Sequence, residues 1–135
     1  MNKILLAVIV AGALAQVTKL VIFLIKHHHL SWHDLLVTGG MPSSHSALVI
    51  SLSTAIYFAE GVSTAFIVSV VLAFITLRDA CGVRRSVGTE GKAIEKLFRL
   101  HKLRSHMHYA MGHTPLQVLV GSMIGLLVGV LVYVW

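Results

Sequence analysis

The sequence predicts an all-α polytopic membrane protein with about four transmembrane helices and one interfacial amphipathic helix. Three observations carry that class. Of 135 residues, 56% are hydrophobic and 12% charged, and the mean hydropathy is +0.85, more apolar surface than a soluble domain of this length needs. Four apolar stretches, at 4–25, 46–60, 63–79 and 116–135, compare with the ~20 residues a span requires. A fifth segment, 92–107, repeats its apolar residues at three- and four-residue spacing. The whole chain, 1–135, reads as one membrane-embedded domain.

The first stretch follows Met1-Asn2-Lys3 but lacks a small-residue cleavage site and carries Gln16 and Lys19, so it reads as a retained span. A lysine inside a span is costly unless it snorkels or faces a polar interior. Lys26 lies two helical turns further on, roughly on the same face as Lys19. The run His27-His28-His29 with His33 has no cysteine or carboxylate cluster beyond Asp34 to complete a tetrahedral site, and reads as a headgroup-facing loop. No metal and no cofactor are expected. The second and third stretches are short and joined only by Glu60-Gly61-Val62, as in a tight helical hairpin.

Arg78-Asp79 ends the third stretch, and Gly82-Val83-Arg84-Arg85 follows. Paired arginines offer planar forks to phosphate oxygens; the alternative is a stop-transfer cluster in which Asp79 neutralises one arginine. In 92–107, Ala93, Ile94, Leu97, Leu100, Leu103 and Met107 form one stripe, and Lys92, Glu95, Lys96, Arg99, Lys102 and Arg104 take the other arc. Such a helix suits a resting place on anionic lipid. In the last stretch Gly121, Gly125 and Gly129 recur every four residues, a spacing that lets two helix backbones approach closely in lipid. Packing within one chain and a homo-oligomeric contact both remain open.

Charge placement adds sidedness to the net +6. With four spans, Lys26, Arg84, Arg85, Lys92, Lys96, Arg99, Lys102 and Arg104 fall on one face, and Lys3 stands alone on the other. The positive-inside rule then puts both long segments in the cytoplasm of a cell-membrane protein. The lone Cys81 excludes an internal disulfide.

Two helix openings carry the chemistry. In Gly39-Gly40-Met41-Pro42-Ser43-Ser44-His45-Ser46-Ala47, Pro42 suits a first helical turn and Ser43 or Ser44 can cap it. His45 directly behind adds a proton donor to an anion-binding helix mouth. Gly112-His113-Thr114-Pro115 opens the last apolar helix in the same way. Both turns and the Arg84-Arg85 pair emerge on the same face, so a composite phosphate site is possible.

In this order, Gly39–Ala47, Asp79-Ala-Cys-Gly-Val-Arg-Arg85 and Gly112-His-Thr-Pro-Leu-Gln-Val118 resemble the divergent branch of the type 2 phosphatidic acid phosphatase family, the branch related to acid phosphatases and vanadium-dependent haloperoxidases. The stretch Ala15-Gln16-Val17-Thr18-Lys19 is similar to its first helix. The resemblance implies an all-α core that hydrolyses phosphate monoesters and pyrophosphates, often on lipids, without a required metal. It implies His113 as nucleophile through a phosphohistidine and His45 as general acid. Lys19, with Lys26, stands for the first motif, and the backbone of Ser43 and Ser44 cradles phosphate oxygens. Two positions depart from the pattern: Met107 replaces an arginine six residues before the histidine, and Gln117 replaces an acidic residue four residues after it. Arg84 or Arg85 then has to supply the missing charge, and Gln117 or Asp79 has to orient the ring.

The expected function is hydrolysis of a lipid phosphate or polyprenyl pyrophosphate, with a bell-shaped pH–rate profile from the two histidines. The competing class is a non-catalytic membrane protein that binds phosphate headgroups or serves as a scaffold. Membrane lipids and a phosphorylated lipid substrate are the expected partners, and nucleic acid is not.

Overall fold

The structure, a computed structural model, describes residues 2–27, 40–101, 103 and 112–135. The Lys26 side chain, the imidazoles of the His27–His29 run, and His33, Asp34, Lys102, Arg104 and Met107 lie outside the described residues. Among the described residues five helices follow in order: α1 Lys3–His27, α2 Ser44–Glu60, α3 Thr64–Cys81, α4 Val83–Leu100 and α5 Pro115–Val134. No strand occurs among the described residues.

Helix α2 is the centre of the bundle and packs against α1, α3 and α5, while α1 also meets α5. Its 17 residues span about 25 Å, less than the ~30 Å hydrocarbon core. The core it makes is built from small side chains. Ala7, Ala11 and Ala15 of α1, Ser46, Ala47, Ser51 and Ala55 of α2, and the α5 glycines are buried. Without a hydrophobic effect between helices in lipid, close backbone approach is what holds them. Ser51, Ser53 and Thr54 return their hydroxyls to carbonyls three or four residues back, at 2.8–3.0 Å, so the two buried serines and the half-buried threonine leave no orphaned donor.

The large apolar residues face outward. Ile9, Val17, Phe74, Ile75, Leu127 and Leu131 are all more than half exposed, an apolar girdle suited to a lipid surround. The stretches Lys3–Ile25, Thr64–Leu100 (which contains α3) and Pro115–Val134 include helices long and apolar enough to cross a membrane.

The helices alternate in direction. At one end Lys3 Nζ reaches the Tyr133 carbonyl (3.4 Å) and lies over the Tyr133 ring, which stacks on Phe58. That end holds the start of α1 and the ends of α2 and α5. The opposite end gathers the start of α2, the end of α3 and the start of α5.

The sequence places an amphipathic helix at 92–107, and the structure differs. Helix α4 begins at Val83, so Arg84 and Arg85 sit in its first turn instead of a loop. Val83 and Val87 extend the apolar stripe N-terminally, and the Arg84–Asp79 ion pair (2.5 Å) braces the corner at Gly82. The helix closes early because the Leu103 N–H turns back to the Phe98 carbonyl (2.9 Å).

Candidate functional site

The start of α5 is built around one amide. Thr114 caps the helix: its hydroxyl accepts the Gln117 N–H (3.3 Å), and Gln117 Oε1 accepts the Thr114 N–H (3.0 Å). This reciprocal pair satisfies two donors that a helix start otherwise leaves bare. The same Oε1 lies 3.3 Å from His113 Nδ1. Because Thr114 already donates into Oε1, that atom is an acceptor and Nδ1 carries the hydrogen. In the neutral tautomer that this contact favours, the lone pair lies on Nε2. Thr114→Ala is expected to cost about 1 kcal/mol of stability, read as a lower midpoint in thermal unfolding in detergent.

His113 is 6% exposed, and its N–H donates to the Ala80 carbonyl at the end of α3 (3.0 Å). Gly112 before it lies flat against the start of α4: a Cβ there would come within 2.6 Å of Arg84 C and Arg85 Cα. Three helices thus fix one short turn.

The start of α2 is held against it. Gly40 adopts φ +89°, and the Met41–Pro42 peptide is cis. Lys19 reaches this turn from α1, with its Cε 3.4 Å from where a Gly40 Cβ would be. Pro42 and Ser43 are fully buried. Ser43 differs from the expectation that its backbone cradles phosphate. Its N–H donates to the Gln117 carbonyl (3.1 Å), and its hydroxyl accepts from the Ser46 N–H and Ser46 hydroxyl. Ser43 is the bridge between α2 and α5. The next N–H groups, of Ser44 and His45, occupy the first turn of α2 and have no acceptor among the described residues. The His45 side chain is exposed.

Burial pushes the His113 ring below the ordinary histidine value. Hydrogen bonds to Gln117 and to the Gly40 backbone act the other way, while the charges of Lys19 and His45 push it further down. The candidate residues Lys19, His45, His113 and Gln117 are therefore one electrostatic group. Asp79 is elsewhere: its carboxylate takes Arg84 Nε (2.5 Å), so Gln117 and not Asp79 holds the ring. Arg84 is occupied by that pair, and Arg85 is exposed in the same turn. Sequence reasoning placed Gly40 in the helix-opening motif without a partner and missed Ala80; both act through backbone groups. It also missed the Thr114–Gln117 cap, which the spacing Thr-Pro-Leu-Gln does signal. Chemically, the group sets a buried imidazole within the electrostatic reach of a lysine and a second imidazole.

Comparison with known proteins gives the family. Residues 1–128 match the Divergent PAP2 family. The chain belongs to that family. A Divergent PAP2 family chain of this kind is a phosphatase-related integral membrane protein. It is 36% identical to the "Uncharacterized membrane protein YuiD" of Bacillus subtilis (strain 168), over 93% of this chain and 90% of the relative. No solved structure matches it.

Proposed function

We propose that the protein is a metal-independent phosphatase acting on a lipid phosphate or polyprenyl pyrophosphate at the cytoplasmic membrane face, through a phosphohistidine on His113. The observation that supports this reading is the contact of the buried His113 ring, through Nδ1, with Gln117 Oε1 (3.3 Å), which makes Nε2 the attacking nitrogen of this proposal. Nε2 attacks phosphorus in line as the bond to the leaving oxygen breaks, and His45 donates the proton that oxygen requires. Water then attacks the phosphohistidine, His45 takes the proton back, and orthophosphate leaves with His113 restored. Lys19, the Ser44 and His45 N–H groups and, at the rim, Arg85 neutralise the phosphoryl oxygens. Arg84 joins them on leaving Asp79, and Lys26 sits one further pair of turns along α1.

The depressed His113 value sets the acid limb of the rate profile. Turnover is expected to persist below the ordinary histidine range and to fall only as pH drops through the lowered value. Phosphate release measured against pH checks this, and an acid limb at or above pH 6.5, the ordinary value, would count against His113. Folding follows the same sign. The unfolded ring binds a proton before the folded one does, so stability is complete above the ordinary value and erodes as pH falls below it.

A second reading, headgroup binding without turnover, is favoured by one observation: the group at His113 Nδ1 is an amide and not a carboxylate. It predicts lipid phosphate binding with no phosphate release at any pH.

A further inference from the structure

Helix α4 leaves its apolar face uncovered. Val83, Val87, Ile94 and Leu97 are between 40% and 63% exposed. At ~100° per residue, Val83, Val87, Ile94 and Phe98 fall within one arc of about 60°. Arg85, Lys92, Lys96 and Arg99 fall within another on the opposite side. Residues 83–100 hold five cationic side chains and two glutamates. The helix leaves the end of the spanning helix α3 after the single residue Gly82 and packs chiefly against α3. An exposed apolar stripe beneath a cationic arc, tethered at the mouth of a span, is complementary to an anionic lipid leaflet.

The base of this helix is also part of the candidate site. The Arg84–Arg85 backbone touches Gly112 with no room for a Cβ between them. Ala80, two residues before Gly82, holds the His113 N–H. Any tilt of α4 away from the membrane draws the Arg84–Arg85 backbone from Gly112 and so loosens the turn whose next N–H, of His113, the Ala80 carbonyl of α3 holds.

We propose that α4 docks its apolar face into the anionic surface of the host bilayer, and that this docking seats the His113 turn through the Gly112–Arg85 backbone contact. The proposal rests on the membrane crossing of α3 and not on hydrolysis.

The test uses the full chain in phosphatidylcholine vesicles with and without phosphatidylglycerol. Leu97→Cys in a Cys81→Ser background carries an environment-sensitive fluorophore. Hydrogen exchange of the 112–117 segment reports the His113 N–H. Phosphatidylglycerol is expected to shift the label to blue emission and to slow exchange of that amide. The doubly substituted Lys92→Glu, Lys96→Glu chain is expected to lose both effects, by about fivefold in the docked ratio per cation removed, and high salt should weaken them. Ile94→Gln, which keeps every charge, should also lose both.

Equal label burial in the two lipids would overturn the anionic requirement. Burial without slower exchange would overturn the coupling. Burial that appears only as the protein-to-lipid ratio rises would show a second copy covering the face, and would overturn the lipid assignment. Phosphate release is not a readout, so a catalytically silent protein leaves the test intact.

Discussion

Gln117→Glu is expected to turn over lipid phosphate faster than the wild type, by about tenfold or more, the worth of a hydrogen bond to a charged partner. Glutamate keeps the capping box, since either side chain can accept the Thr114 N–H. The fold is therefore preserved and the change falls on the ring. A carboxylate 3.3 Å from Nδ1, where the amide oxygen now sits, stabilises the imidazolium character that develops as Nε2 bonds phosphorus. It also raises the His113 pKa, so the acid limb of the rate profile should move to higher pH together with the rate. Rate and limb are measured in one pH series. An unchanged limb would show that residue 117 does not touch the ring during turnover.

Gly121→Ala is expected to cost about 3 kcal/mol, the upper end of what an added buried carbon does to a packed interior. Its Cβ would collide with the Ser43 carbonyl oxygen, a backbone atom with nowhere to go. The ~1 kcal/mol that alanine gains over glycine in a helix does not offset this. The displaced Ser43 would also lose its bond to the Gln117 carbonyl, so His45 and His113 would separate and activity would fall with stability. Gly125→Ala meets the Ala47 carbonyl and should behave alike. Gly12→Ala is the control, because the atom it meets, Leu48 Cδ2 at 2.7 Å, ends a side chain that can rotate. Unfolding midpoints in detergent should separate the first two variants from the third.

The spans were legible because lipid demands long apolar runs: α1, α3 and α5 fall within a few residues of 4–25, 63–79 and 116–135. The glycine stripe was legible as a contact but not as to its partner. Spacing shows that α5 can be approached closely, and only the fold shows that Ser43, Ala47 and Thr54 of the same chain fill it. The histidines, Lys19 and Gln117 could be read as a group because charged and imidazole side chains are rare in so apolar a chain. Ser43 was misread because a serine at a helix mouth looks the same whether its N–H faces a ligand or, as here, the Gln117 carbonyl. The early start of α4 was missed because Gly82 and Gly88 look like loop residues, whereas Gly88 is buried inside the helix. The support of Gly112 by Arg84 and Arg85 is backbone on backbone and leaves no trace in side-chain pattern.

The most direct measurement is phosphate release by the purified protein in detergent, across lipid phosphates and polyprenyl pyrophosphates, beside His113→Ala. The account predicts turnover by the wild type, an acid-labile phosphoryl group trapped on His113, and neither in His113→Ala. Undiminished turnover in His113→Ala, or headgroup binding by the wild type with no phosphate released from any substrate, would contradict it.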